Sequence, residues 1–201
     1  LIPFMWMVFS AFKSTAEIQD TTVAQGLFPK EWTFNLSIFF TDEKYSMIWR
    51  YMGNTLLVGT VSTILTVIIT VLAAFAFARL QFRGKELIFS ILLATMMIPG
   101  EMMIITNFTT VANFGWLDTY TALIVPFITS VFYTFFLRQN FRQIPNELYY
   151  AAKVDGVTDF GYLWKVMIPI ARPNIITITI LSMIGSWNAY IWPRTVTSRK
   201  E

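Results

Sequence analysis

The chain contains no cysteine and no histidine. Without cysteine there is no disulfide framework, no thiol nucleophile and no thiolate metal site, and the redox compartment goes unmarked. Without histidine the commonest general base and the commonest metal ligand are both missing, which counts against catalysis. Charge is scarce as well. Asp, Glu, Lys and Arg together make up 13% of the 201 residues, about half the share usual in a globular domain. Such a chain cannot cover itself with a water-compatible surface, which excludes a disordered protein, a disulfide-stapled miniprotein and an ordinary cytosolic enzyme. Its basic residues form no dense run, so no nucleic-acid partner is expected. A phosphate-binding G-x-x-x-x-G-K-[ST] loop is also missing, since Gly84-Lys85-Glu86 has neither the earlier glycine nor the hydroxyl. No cofactor is expected on this chain itself.

What is present is apolar. Hydrophobic residues make up 55% of the chain and the mean hydropathy is +0.56. Tyr51–Ala78 runs 28 residues without a charge, Thr119–Leu137 runs 19 and Pro173–Pro193 runs 21; Leu87–Asn107 is interrupted only by Glu101. Each run is long enough to cross a membrane once as a helix. Alternating ten-residue strands are missing, so the expected fold is an all-α, polytopic membrane helix bundle rather than a β-barrel. Residues 1–201 read as a single transmembrane domain. The opening run Leu1–Phe12 is too short to cross, rising only about 18 Å as a helix against a core of about 30 Å. It also lacks the charged start and cleavage site of a signal peptide. The expectation is that the natural N-terminus and a final helix lie beyond the residues given.

Orientation follows from the connections. Arg79–Glu86 and Arg138–Arg172 are basic, whereas Thr109–Gly115 carries no basic residue. The positive-inside rule places the first two in the cytoplasm and the third outside. Lys13–Arg50, with four basic and five acidic residues, then also lies outside, as does the tail Arg194–Glu201. Small pairs four apart, Gly59 with Thr63 and Ala74 with Ala78, suit close helix packing.

The long connection 138–172 carries the most information. Pro145 can open a helix in its first turn, and Glu147 suits the positive end of its dipole. Leu148, Ala151, Ala152 and Asp155 share one helical face, small at its centre. Gly156 stands where a helix ends in a left-handed residue, and Asp155 beside it can bond local backbone N–H groups. Thr158 can cap a second helix, along which Phe160, Leu163, Trp164 and Met167 form an apolar stripe. The residues describe two short helices meeting at a tight glycine turn, either a linker packed on its own bundle or a docking element for a cytoplasmic partner.

Ile144-Pro145-Asn-Glu147-Leu148, then Ala151-Ala152-Lys-Val-Asp155-Gly156, then Pro169 thirteen positions after the glycine, together resemble the "EAA" loop of ABC importer permeases. Leu117-Asp118-Thr119-Tyr120, Phe136-Leu137-Arg138-Gln139 and Ser186 to Pro193 are similar to the maltose-type carbohydrate permeases, and the likeness covers nearly the whole chain. The resemblance implies a permease subunit in a bacterial or archaeal cell (inner) membrane, crossing it several times. It implies as partners a second permease subunit, two cytoplasmic ATPases that bind ATP and Mg, an extracytoplasmic solute-binding protein, and membrane lipid. It assigns ATPase coupling to Glu147, Tyr150, Ala151, Ala152, Asp155, Gly156, Leu163 and Pro169. Two of these depart from the family pattern. Tyr150 stands where the motif has Glu, so the usual ion pair with the ATPase cannot form, and Glu147, one turn earlier, is the available substitute. Leu163 replaces an aromatic and keeps an apolar knob.

A translocation path is expected to use Glu101, an intramembrane carboxylate beside Pro99-Gly100, with Asn107, Trp187, Asn188 and Tyr190 offering hydrogen bonds and ring faces to a sugar. Asn113 and Trp192 are further candidates, although interfacial anchoring is the commoner role for such aromatics. The alternatives are an ABC permease for another small polar solute such as glycerol phosphate, and a secondary transporter. The latter would show several buried charges or broken helices at mid-membrane, where this sequence offers only Glu101. An intramembrane enzyme would need a nucleophile with its base, or clustered metal ligands, and no such set is found.

Overall fold

The computed structural model describes residues 1–19, 26–33 and 43–198. Parts of the expected outer segments, 20–25, 34–42 and 199–201, lie outside the described residues. The chain divides into two compact units, Leu1–Met52 and Gly53–Glu201. In the first, α1 (Ile2–Ser10) and α2 (Thr15–Gln19) are followed by a short aromatic cluster. Phe9 meets Phe28 and Trp32, and Trp32 meets Phe12. The Lys13 ammonium donates to the Gly26 carbonyl at 2.6 Å.

All described regular structure is helical. α3 (Glu43–Ala78) contains Met47–Ala78, the one described helix long and apolar enough to cross a membrane unbroken. Two of the other expected crossings are bent pairs, and a third bent pair joins Asp159–Ile170 to Arg172–Trp187, the start of the last apolar run, at 81°. α4 (Lys85–Thr95) and the segment Gly100–Asn113, which is a 3-10 turn leading into α5 (Ile104–Asn113), meet at 89°. α6 (Tyr120–Ile124), extended by a 3-10 turn to Phe127, meets α7 (Val131–Gln143) at 43°. If each bent pair is one span, the described residues hold up to four.

The runs Leu87–Asn107 and Thr119–Leu137 are therefore bent instead of straight helices, and the run Pro173–Pro193 is one helix only as far as Trp187. Pro99 lacks an N–H and biases the residue before it away from the α region, and the helix breaks there. The supposed outer connection Thr109–Gly115 is helical as far as Asn113; the turn falls at Gly115, with φ +69°, and Asp118, with φ +59°. Break ends are capped locally. Thr119 accepts from the Ala122 N–H and Ser130 from the Tyr133 N–H. The last apolar run is α11 (Arg172–Trp187), then a break, then the separate α12 (Ile191–Val196).

Two cores result. Val71, Ala74 and Phe75 of α3 pack with Leu137 and Phe141 of α7, with Ile144, and with Tyr162, Leu163, Met167, Ala171 and Ile178 further along. The helices approach where side chains are small. Ala74 is fully buried, and a Cβ on Gly59 would sit 3.2 Å from the Met183 sulfur. Around the turn at Gly115–Asp118, Val111, Ala122, Trp192 and Val196 form the second core.

Candidate coupling site

Between α7 and α11 the chain makes the two short helices expected. α8 (Asn146–Val154) is followed by α9 (Asp159–Tyr162), a π turn over Leu163–Met167, and α10 (Ile168–Ile170). Pro145 precedes the first helical residue as its cap instead of occupying the first turn. Gly156 has φ +75° and donates to the Lys153 carbonyl at 3.1 Å, while the Val157 N–H returns to the Ala152 carbonyl at 2.8 Å. The glycine thus closes α8 as a left-handed terminator. Thr158 Oγ1 accepts from the Gly161 N–H and caps α9. The π turn comes just before Pro169, which has no N–H to continue the α ladder.

Across the glycine turn a polar triad ties the two helices. The Tyr149 hydroxyl donates to Asp159 Oδ1 at 2.7 Å, and the Lys153 ammonium lies 2.8 Å from the same oxygen. Lys153, then Tyr149, hold the Asp159 carboxyl below its ordinary range. The hydrogen bond to Asp159 in turn pushes the Tyr149 phenol up. The Tyr149 ring also packs edge-on against buried Tyr162.

The eight coupling residues separate into two groups. Ala152 and Leu163 belong to the chain's own core. Glu147, Tyr150, Ala151, Asp155, Gly156 and Pro169 are exposed. The flat face read as Leu148, Ala151, Ala152 and Asp155 is corrected accordingly, because Ala152 turns inward while the other three stay outside. The apolar stripe divides in the same way. Leu163 and Met167 are buried, whereas Phe160 and Trp164 are exposed and meet edge-on at 6.1 Å. The core beneath the loop claims one edge of each short helix and leaves the adjacent edge free. Asp155 caps α8 through its own N–H, which reaches the Ala151 carbonyl at 3.0 Å. Among the described residues its carboxylate accepts no local N–H, so that expectation is also corrected.

In the sequence Arg79 is a topological marker, and Arg138 is one as well as part of the Phe136–Gln139 resemblance; neither is assigned a structural role there. Both are buried at the root of the loop. Arg79 donates to the Phe141 carbonyl at 2.9 Å, to the Ile144 carbonyl and to Asn146 Oδ1. Arg138 donates to the Phe77 carbonyl at 3.1 Å and to both Glu86 oxygens at 2.8 Å, with its guanidinium 3.9 Å from the Phe89 ring centre. The available signal was position: Arg79 follows Ala78 and Arg138 follows Leu137, each the first charge after an apolar run. Beside them a groove of about 1080 Å³ opens between residues 77–87 and α8, lined among others by Arg79, Lys85, Arg142, Tyr149 and Tyr150.

The proposed path residues occupy another part of the fold. Glu101 is exposed in the 3-10 turn at the Pro99 break, and Asn107 is half-buried on α5. Trp187 ends α11, Asn188 caps it, and exposed Tyr190 accepts a hydrogen bond from Arg194. Asn113 is exposed at the end of α5. Trp192 is not available to a ligand. It is buried, donates to the Ala122 carbonyl at 2.9 Å and packs edge-on against Phe127.

An all-helical, apolar chain with broken membrane segments and an exposed helix–glycine–helix loop has the build of a transport permease. Residues 66–200 match the family described as "Binding-protein-dependent transport system inner membrane component", and the chain belongs to that family. It is 33% identical over 196 residues to the diacetylchitobiose uptake system permease protein NgcG of Streptomyces coelicolor, covering 96% of this chain and 63% of NgcG. It is 30% identical over 201 residues to the arabinooligosaccharides transport system permease protein AraQ of Bacillus subtilis, covering 100% of this chain and 71% of AraQ. The chain thus spans about two thirds of the length of these relatives. Its fold is similar to a chain in the crystal structure of a bacterial ABC transporter involved in alginate import, with a TM-score of 0.87 and 26% identity over 99% of this chain and 69% of that one.

Proposed function

We propose that this chain is a multi-pass permease subunit of an ATP-driven importer for a sugar or oligosaccharide and is not itself an enzyme. In this reading α3, α4–α5, α6–α7 and α11 cross the inner membrane, and the loop 138–172 faces the cytoplasm. A second permease subunit completes the path. Two ATPases bind ATP and Mg, and an external solute-binding protein delivers the saccharide. The observation that carries the reading is the loop itself. Its motif residues Glu147, Tyr150, Ala151, Asp155 and Gly156 are exposed together, on a helix locked by a left-handed glycine, within a chain of this family. The saccharide preference draws on the named relatives NgcG and AraQ.

The loop can act as a lever because its inner edge is welded to α3 and α7 through Ala152, Leu163 and Met167. A displacement applied to its outer edge moves those helices with it. The driving energy has to come from ATP binding one state of the assembly better than the other, since a ligand shifts an equilibrium only by its differential affinity. The test is uptake of a panel of labelled saccharides and glycerol phosphate by vesicles carrying the full-length permease with its genetic neighbours. Saccharide uptake that requires ATP and the binding protein is the expected result. Uptake of glycerol phosphate alone would move the substrate assignment, and uptake driven by an ion gradient without ATP would overturn the reading.

A further inference from the structure

The two buried arginines exchange helix ends. Phe77 lies in the last turn of α3, and its carbonyl is bonded by Arg138 of α7. Phe141 lies in the last turn of α7, followed by Ile144, and both carbonyls are bonded by Arg79, the residue after α3. The final carbonyls of a helix have no partner within it, and cations are favoured at that end. Here each helix supplies the cation that satisfies the other. The planar guanidinium holds five donors in a fixed fork that spans separated acceptors, whereas lysine's three donors radiate from one point charge on a flexible stem.

Arg79 also crosses a joint. Ile144 (φ −67°, ψ 128°) and Pro145 (φ −56°, ψ 140°) are extended residues that separate α7 from α8. Without a brace, displacement of α8 would be absorbed by rotation at these two residues. Arg79 bonds the Phe141 carbonyl before the joint, the Ile144 carbonyl within it, and Asn146, the first residue of α8, beyond it. We propose that Arg79 and Arg138 form a reciprocal latch that makes the end of α3, the end of α7 and the start of α8 one rigid lever. Arg79 and Asn146 are then the positioning residues that deliver movement of the loop to α3. This rests on the permease reading above. Stability alone does not account for the arrangement. Among the described residues the buried Arg79 Nε has no hydrogen-bond partner, and buried charge clusters can often be replaced by apolar residues at no loss of stability.

The test uses the complete transporter in vesicles and measures solute imported per ATP hydrolysed, alongside recovery of the assembled complex. Asn146→Ala, at an exposed position, and Arg79→Lys are expected to assemble at the parent level and to go on hydrolysing ATP. Solute per ATP is expected to fall several-fold, and the double variant to fall no further than the worse single one. Parental solute per ATP in both single variants overturns the latch. So does a loss of assembly, hydrolysis and uptake in equal proportion, which is what a merely structural role predicts. If Arg79→Lys fails to fold, Asn146→Ala decides alone. A parent complex that hydrolyses ATP but moves no solute overturns the permease reading, and the latch with it.

Discussion

Substitution of Gly156 separates a backbone effect from a contact effect. Its φ of +75° is a left-handed conformation, and among the described residues a Cβ built on it meets no atom within 4 Å. Gly156→Ala therefore costs only the left-handed strain, about 1–2 kcal/mol. Asn visits this region more readily and should cost less than Ala. Gly156→Pro cannot adopt the angle and also removes the N–H that donates to the Lys153 carbonyl. Its cost should be roughly 3 kcal/mol or more, as for proline where it both clashes and deletes a donor. Such a change would re-aim α9 and pull Asp159 away from Tyr149 and Lys153. The assay is heat resistance of the purified permease, run beside ATPase co-purification and uptake on the same variants. The expected order is Gly, Asn, Ala, Pro in all three readouts, with membrane insertion retained. Asn and Ala as damaging to co-purification as Pro, yet neutral in heat resistance, would refute the backbone argument and show that a partner fills the space above the glycine. Parental behaviour of Gly156→Pro would refute the coupling role as well.

Other substitutions test neighbouring statements. Ala152→Glu places an unpaired charge in the chain's own core and should lower the yield of folded protein by the equivalent of about 3 kcal/mol or more, whereas Ala151→Glu, at an exposed position, should leave folding intact and reduce ATPase co-purification; pull-down and heat resistance distinguish the two. Trp192→Phe leaves the buried Ala122 carbonyl without its donor, at a cost of about 1–3 kcal/mol, to be read as a lower melting midpoint with saccharide affinity unchanged. Because the folded Asp159 carboxyl titrates below its unfolded value, its contribution is present above about pH 4 and is lost as pH falls through the depressed value. The Tyr149 phenol titrates higher when folded, so its contribution holds up to about pH 10 and is lost above that. Loop stability should then be flat between these limits, and Asp159→Asn should remove the acid limb of a melting-against-pH curve. A membrane-impermeant thiol reagent should label a cysteine at Asn113 in sealed cells and spare one at Gln143; labelling of the latter reverses the orientation.

The loop was legible because its signals are local. Pro145, Gly156 and Thr158 each act through their own backbone or that of the next few residues, and the two helices stand where they imply. Which edge of each helix turns inward was not legible. Ala151 and Ala152 are adjacent, equally small and equally suited to a flat face, and only the position of Tyr162 and Leu163 decides that Ala152 is covered. The arginine latch was hidden for a related reason: its acceptors lie 61 to 67 residues away along the chain. Carbonyl acceptors carry no sequence signature either, so Arg79 and Arg138 looked like any other charges flanking an apolar run.

The bends were missed for a different reason, and it bears on where a solute can pass. An uncharged run has the same composition whether its helix is straight or broken, so counting apolar residues over Leu87–Asn107 could not reveal the 89° turn. Pro99-Gly100 signals a break, but neither residue encodes its angle. A break inside the hydrocarbon leaves carbonyls and N–H groups without helical partners, and lipid cannot satisfy them. At Ser130 a side chain of the chain itself satisfies the freed donor. At Pro99 the first turn contains exposed Glu101 and has no side-chain cap. Non-helical backbone and a carboxylate exposed together are compatible with the membrane–water interface, a neighbouring subunit or a water-filled passage, and incompatible with acyl chains. The backbone break that surrounds Glu101, more than its charge, is what favours a place beside a path over one against lipid.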